Sequence, residues 1–332
     1  MKKKILVLGG TLFVGRVLVE TLLLHEDKYE VTLFNRGKTN PNLFPNVRRL
    51  VGNRENNEIA ALGKESWDAV IDVSGYYPLS LEKLVALLKG KVGRYIFVST
   101  ASVYKIEESE DKIMDENFAT ETCTEAQKRD MTMATYGKRK VACEQVLLRS
   151  GIDALIVRPA VIYGRYDPYD RHYYWLYRAK HSEQILLPGG SENRSNSTFV
   201  DDLASILQKG IEIERHQSIY NVTTHPVESL RQQVSAMASA FGRQVQFVEA
   251  PLDFLEKHEV QPWTDIPLWI NGNFMMLDHS RMERDFGLSL TPLTNSFAKT
   301  AAYYESLEWK VPRMGVELDE EQELIAELES NE

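Results

Sequence analysis

Apolar residues over the first 160 positions fall into short unbroken runs, separated by stretches in which they recur every three or four residues. The runs at 5–8, 30–34, 47–51, 68–73, 94–99 and 152–157 show no polar alternation, the pattern of strands buried on both faces. Between them, Val14, Val17, Leu18 and Leu22 begin one helix, and Leu81, Leu84, Val85 and Leu88 line the face of another at i, i+3, i+4 and i+7. A further helix is predicted through Ala61 and Leu62, and a longer one over 132–149. Strands that alternate with helices at this spacing form βαβ units, hence a parallel sheet that presents ligand sites at the carboxyl ends of its strands. Gly9, Asn35, Asn53, Ser74 and Ser99 all stand at such ends.

From Tyr163 the regular alternation stops. A polar, acidic excursion at 105–130 and an aromatic cluster at Tyr173, Tyr174, Trp175 and Tyr177 interrupt it on either side. The predicted organisation is a dinucleotide-binding unit over 1–164, to which strands near 198–202 and 218–222 return, and a mainly substrate-binding region over 165–332. Helices are predicted at 227–241 and 280–286. The acidic tail beyond about Val316 reads as a surface helix or as disordered. The fold class is therefore α/β, a Rossmann-type doubly wound parallel sheet with a smaller C-terminal region.

The first strand runs into Gly9-Gly10-Thr11-Leu12-Phe13-Val14-Gly15. Glycines let the chain turn sharply, and the open N–H groups of the following helix, with its dipole, favour a phosphate without any charged side chain. At the end of the second strand stand Asn35 and Arg36, where an acidic residue would bind a ribose 2′-hydroxyl and an arginine accommodates a 2′-phosphate. That pair favours NADP over NAD, against the simpler reading that Arg36 and Lys38 are a solvated turn.

Composition narrows the class. With 332 residues, 43% of them hydrophobic, the chain buries a large core. No apolar run reaches the length of a membrane span, and four apolar residues after Met1-Lys2-Lys3-Lys4 are too few for a signal peptide. Two cysteines, Cys123 and Cys143, give neither a disulfide framework nor metal-ligand spacing, so a cytoplasmic location and no metal are expected. A net charge of −9 argues against electrostatically driven nucleic-acid binding.

The sharpest chemical feature is Tyr136-Gly137-Lys138-Arg139-Lys140, which places a phenol and an ammonium four residues apart on one helical face. A neighbouring ammonium stabilises the phenolate and lowers its pKa, so the pair is suited to passing a proton to or from a carbinol oxygen while hydride moves to or from a nicotinamide. Strand five ends in Ser99, Thr100 and Ser102, hydroxyls at the edge where a substrate oxygen would be held.

In order, the chain carries Gly-Gly-Thr-x-Phe-Val-Gly at 9–15, Ser-Thr-Ala-Ser-Val-Tyr at 99–104, Tyr-Gly-x-x-Lys-x-x-x-Glu at 136–144, Arg-Pro-x-x-x-x-Gly at 158–164 and Phe-Val-Asp-Asp-Leu-Ala at 199–204. This series resembles the extended short-chain dehydrogenase/reductase superfamily, the NAD-dependent epimerase/dehydratase family, over nearly the whole length. The resemblance implies Tyr136 as acid/base, Lys140 as the group that lowers its pKa and holds the nicotinamide ribose, and Thr100 as the catalytic hydroxyl with Ser99 as its neighbouring substitute at the cofactor. It further implies cofactor contacts from Gly9, Thr11, Leu12, Phe13 and Gly15 to the pyrophosphate, from Asn35 and Arg36 to the adenosine ribose, and from Asn53 to the adenine. Ser74 and Gly75 would meet the middle of the cofactor, and Pro159 to Ile162 would border the nicotinamide.

Two positions depart from the pattern. Leu12 replaces a glycine, similar to a subgroup that includes chloroplast stem-loop RNA-binding proteins, and Asn53 stands where many relatives carry aspartate. Substrate candidates are Arg165, Arg171, His172, Tyr173 and Arg194, a set suited to an anionic or glycosyl group, although aromatics of this kind also build cores and dimer surfaces. The expectation is an NAD(P)-dependent epimerase/dehydratase or reductase acting on a nucleotide-sugar-like or other hydroxyl/carbonyl small molecule, as a homodimer by analogy with the family. The alternative is a non-catalytic NAD(P)-binding regulator or RNA-binding protein on the same fold.

Overall fold

The computed structural model describes every residue except 110–111, 190–192, 215, 271, 273 and 331–332. The chain divides into two compact units: residues 1–161, 200–223 and 277–289 form the first, and residues 162–199, 224–276 and 290–332 the second.

The apolar runs of the first unit become β1 (Lys3–Leu8), β2 (Tyr29–Asn35), β3 (Arg48–Val51), β4 (Trp67–Asp72), β5 (Val92–Val98), β6 (Ala154–Pro159) and β7 (Ile219–Val222). They form one sheet in the order β7-β6-β5-β4-β1-β2-β3, with every pairing parallel. Its helices are α1 (Phe13–Leu23), α2 (Pro78–Leu88), α3 (Tyr136–Arg149), α4 (Val200–Gly210) and α5 (Ser280–Phe286). Helices α2 and α3 pack together over one face, where Leu81, Leu84, Cys143 and Leu147 meet Leu6, Leu8, Val70 and Phe97, while α1 packs against α4. The strand order reverses between β1 and β4. The crevice at their carboxyl ends is therefore the place where such a sheet receives a ligand.

Three sequence-based expectations are corrected. The helix expected through Ala61 and Leu62 is instead two 3-10 turns, Arg54–Asn56 and Ala60–Lys64, because Arg54 turns inward to a buried partner and Asn57 takes a left-handed conformation. The stretch near 198–202 adds no strand to the sheet: Ser197–Phe199 pairs with Val161–Tyr163, α4 starts at Val200, and only the 218–222 stretch supplies a further strand. Helix α3 starts at Tyr136 and not at 132. The Asp130 carboxylate accepts from the Thr132 backbone N–H (2.8 Å) and from the hydroxyls of Thr132 and Thr135 (2.9 Å each), which holds residues Met133–Thr135 in a 3-10 turn just before the helix.

Part of the polar excursion is tied down. The Tyr104 hydroxyl donates to Asn221 Oδ1 (2.6 Å), the Asn221 N–H donates to Glu116 (2.9 Å), and Arg281 pairs with the same carboxylate at 3.2 Å. In the second unit, the helices Arg171–His181, Leu230–Ala240 and Leu293–Glu305 build a core of Trp175, Leu176, Val234, Met237 and Phe297 with the parallel pair Gln184–Pro188 and Gln246–Ala250. The acidic tail is an ordered helix, Leu318–Ser330, anchored by buried Leu324 and Ile325 and by a fully buried Glu321, which pairs with Arg178 and accepts from the Leu186 N–H (2.9 Å).

One charged pair lies inside the sheet unit. Asp72, the last residue of β4, is fully buried and accepts two 2.8 Å hydrogen bonds from Arg54, one from the Tyr95 hydroxyl (2.7 Å) and one from the Ser74 N–H (3.0 Å). Burial alone would raise its pKa, but the Arg54 charge and these hydrogen bonds hold the carboxyl below its usual range. Replacing Asp72 with Asn strands a buried guanidinium, so urea unfolding at neutral pH should show a loss of about 3–5 kcal/mol. A loss below about 1 kcal/mol would show that the pair is not holding the end of β4.

Candidate functional site

At the carboxyl end of β1 the chain turns through Gly9 (φ +112°) and Gly10 (φ +94°), a left-handed region in which a side chain is strained. A Cβ at Gly15 would lie 2.7 Å from the Gly10 nitrogen, so the first turn of α1 closes directly onto this loop. Leu12 is extended (φ −142°, ψ 141°) and half-exposed, and as the residue before α1 it makes no side-chain cap. The first N–H groups of α1 therefore lack a side-chain acceptor from that residue, which leaves them open to an anion. The turn fits a pyrophosphate on these grounds. Two asparagines brace it from outside: Asn35 donates to the Gly9 carbonyl (3.0 Å) while accepting from the Gly37 N–H (2.9 Å), and Asn40 donates to the Thr11 carbonyl (2.8 Å).

The groups expected at the adenosine end are near one another in the sheet order. Arg36 is exposed at the end of β2, close enough to Glu55 for their charges to interact. Asn53 follows β3 and caps the turn Arg54–Asn56 by accepting from the Glu55 N–H (3.1 Å). At the end of β4, the Ser74 hydroxyl donates to the Leu8 carbonyl (3.0 Å), which ties β4 to β1 beside the glycine turn.

The residues expected to handle the proton lie around the end of β5. Lys140 is 2% exposed, and its ammonium donates to the carbonyls of Gly75 and Val98, both at 2.7 Å. The Phe97 ring centroid lies 3.9 Å from the same nitrogen and the Tyr76 centroid 5.6 Å. Burial pushes this lysine down to about 8, against the raising influence of Cys143, Asp72 and Glu144. Gly75 permits the arrangement, since a Cβ there would sit 2.6 Å from Phe97 and 2.7 Å from Asp72 Oδ2. Tyr136 opens α3, half-buried, with its ring 6.3 Å from that of Tyr76. Tyr136 and Lys140 thus border the same aromatic ring. Gly137 lets the first turn of α3 rest on the turn Ala101–Val103, for a Cβ there would lie 2.0 Å from the Ser102 carbonyl oxygen. Thr100 caps that turn, accepting from the Ser102 N–H (3.2 Å) and donating to its hydroxyl (3.3 Å). Ser99 is buried and donates to Glu144 (2.5 Å), which is paired with Arg158 at 2.6 and 3.0 Å. Its hydroxyl is committed to that buried pair.

The model of the NAD dependent epimerase/dehydratase family matches residues 5–223, two thirds of the chain and all of the elements just described up to β7. The chain belongs to this family. Its members are NAD-dependent enzymes built on a Rossmann-type sheet. Among curated proteins, the chloroplast stem-loop binding protein of 41 kDa b from Arabidopsis thaliana is 25% identical over 259 residues, which cover 73% of this chain and 64% of that protein. The match thus spans less than two thirds of that relative's length. Among solved structures, dTDP-glucose 4,6-dehydratase from Bacillus anthracis, in complex with NAD, aligns at a TM-score of 0.68 and 15% identity over 92% of this chain and 97% of its own. UDP-glucose 4-epimerase from Thermotoga maritima, with UDP-glucose, aligns at 0.69 and 18% identity over 92% and 100%. At these identities the likeness is one of fold.

The five substrate candidates lie in the second unit and divide by exposure. Arg165 and Arg171 are half-buried, stacked over Tyr166 (5.4 Å) and Tyr169 (4.8 Å), and Arg194 is exposed beside a shallow cleft lined by Ser195, Leu230, Trp269 and Phe274. His172 and Tyr173 are buried instead. His172 stacks on Tyr163 at 4.4 Å with Nε2 3.0 Å from the Ser197 hydroxyl, and burial drives its pKa well below the usual imidazole range. Tyr173 packs between Tyr304 and Trp309 and donates to the Lys310 carbonyl. Both occupy the inward face of a helix whose aromatic run serves its core. Of the cofactor candidates, Pro159 ends β6 in a buried position and Ile162 is half-buried.

Sequence reasoning missed Tyr76, Phe97 and the Arg54–Asp72 pair. Tyr76 directly follows Ser74 and Gly75 at a strand end, so the rule that selected those two would have reached it, and a lone aspartate closing an apolar strand signals a buried partner.

The buried lysine makes a sign-definite expectation. Its folded value is about 8 against 10.5 for an unperturbed lysine, so between those values the unfolded chain holds a proton that the folded chain has lost. This group therefore makes stability rise with pH across that window. In urea titrations from pH 7.5 to 10.5, the wild type should gain stability relative to Lys140→Met. Parallel curves for the two proteins would show that Lys140 is not held in a dry site.

Proposed function

We propose that this family member is a hydride-transfer enzyme, an epimerase, dehydratase or reductase that prefers NADP and acts on a hydroxyl or carbonyl carbon of a nucleotide-sugar-like substrate. The observation that carries the reading is the placement of Tyr136 and Lys140 against one aromatic ring at the carboxyl edge of the sheet, with the glycine turn on the same edge. A bound nicotinamide would supply the hydride acceptor or donor. Gly9, Gly10 and Gly15 give the pyrophosphate its room, and the N–H groups of α1 favour its charge. Tyr136 takes the proton of a substrate hydroxyl when its carbon is oxidised and returns one when a carbonyl is reduced, which balances the hydride moved. Lys140 stabilises the phenolate by its charge, and Thr100 holds the reacting oxygen. Within the second unit, Arg165, Arg171 and Arg194 are the candidates for an anionic group, while His172 and Tyr173 belong to that unit's interior.

The NADP preference rests on Arg36. No carboxylate stands beside it on β2 to repel a 2′-phosphate, because Asn35 occupies that position and spends its amide on bracing the glycine turn. The RNA-binding alternative draws on the named activity of the Arabidopsis relative. A net charge of −9 gives it little counterion release to draw on, and a phenol and an ammonium beside one ring support the enzymatic reading instead.

Two substitutions test the reading. Tyr136→Phe should retain NADPH affinity within about twofold and lower turnover of an active nucleotide sugar by a factor of at least 100, of the order expected for loss of a general acid/base; undiminished turnover would end the proposal. Arg36→Ala should weaken NADPH binding by roughly tenfold, a charge-assisted contact of about 1.4 kcal/mol, and leave NADH binding unchanged. Equal losses for the two cofactors in fluorescence titrations would remove the preference.

A further inference from the structure

Four groups surround the Lys140 ammonium: the Gly75 carbonyl, the Val98 carbonyl, the Phe97 ring and the Tyr76 ring. Gly75, Val98 and Phe97 are buried. Tyr76 is 45% exposed, so its ring is the part of this enclosure that meets solvent. It follows the very residue whose carbonyl binds the lysine, and its ring also lies 6.3 Å from that of Tyr136. Tyr76 thus borders both Tyr136 and Lys140 while staying exposed.

We propose that Tyr76 is a positioning residue whose ring closes the solvent side of the Lys140 enclosure and holds Tyr136 beside it, so that phenol and ammonium act across a water-poor gap. The inference rests on the proposed use of Tyr136 and Lys140. Its physical content is dielectric: an ammonium influences a neighbouring phenol more strongly where water does not screen it. The attraction of the Tyr76 ring for the ammonium is minor, since 5.6 Å is close to the outer limit of such contacts. Exclusion of water is the larger effect, in keeping with the downward displacement of Lys140 by burial. The ionisable groups acting most strongly on the ammonium are Cys143 and Glu144 on α3, Asp72 at the end of β4 and Arg54 in the turn after β3, and Tyr136 is the group it is proposed to serve. All of them are retained in the Tyr76 variants.

The test reads the lysine directly. In 15N-lysine-labelled protein, the Lys140 Nζ resonance is assigned by its loss in Lys140→Met and titrated from pH 6.5 to 10.5 in the wild type, Tyr76→Phe and Tyr76→Ala. The midpoint should stay within about 0.3 of wild type in Tyr76→Phe, which keeps the ring, and rise by at least one pH unit, a tenfold gain in proton affinity, in Tyr76→Ala. Tyr76→Leu, which keeps apolar bulk, should fall between the two and replaces the alanine variant if that one does not fold. An unchanged midpoint in the alanine or leucine variant overturns the proposal, and so does a Phe variant that moves as far as Ala, because the hydroxyl and not the ring would then be responsible. The titration needs no substrate. A protein that shows the expected midpoints yet loses no turnover in Tyr136→Phe would refute the proposed function and leave the enclosure standing.

Discussion

The site depends on burying one ammonium against the edge of a parallel sheet. Lys140 gives up water for two backbone carbonyls, one just after β4 and one at the end of β5, and so pins α3 to both strand ends at once. An unpaired buried charge would be expelled or neutralised, and two good acceptors with flanking rings are what make its burial tolerable. Because Tyr136 is one helical turn earlier on α3, whatever fixes the lysine also fixes the direction in which the phenol leaves the helix.

Close approach is what this geometry requires of the surrounding chain, and three glycines provide it. Gly75 makes room for Phe97 beside the ammonium, Gly137 lets α3 settle on the Thr100-capped turn, and Gly15 brings α1 onto the loop after β1. Beneath them, Asp72 and Arg54 form a buried pair that also engages Tyr95 and the Ser74 N–H, so the end of β4 is held from below while Lys140 holds the residue three positions further on from above. Polar commitments of this density at strand ends convert a generic sheet edge into one with a defined shape.

The parallel sheet was legible because buried strands and amphipathic helices carry different periods, and the strand ends followed from where those periods break. The glycine turn, Tyr136 and Lys140 were legible for the same reason, as local features with fixed spacing. What escaped depends on contacts distant in sequence. Nothing in the sequence around Arg54 points to Asp72, 18 positions on, which draws it inward. Ser99 reads as a free hydroxyl until Glu144, 45 positions on, is seen to accept from it. The same holds for His172 and Tyr173, whose polar atoms suggested a ligand and whose rings fill a core. The acidic tail reads as a surface helix or as disordered because the partner that lets Glu321 be buried, Arg178, comes from a helix far upstream.

A crystal structure of the chain soaked with NADPH tests the central claim most directly. The account predicts the pyrophosphate on the Gly9–Gly15 turn and the nicotinamide at the end of β5, with Tyr136 facing the ring. A cofactor bound with its nicotinamide elsewhere, or a glycine turn that stays empty at saturating NADPH, would contradict it.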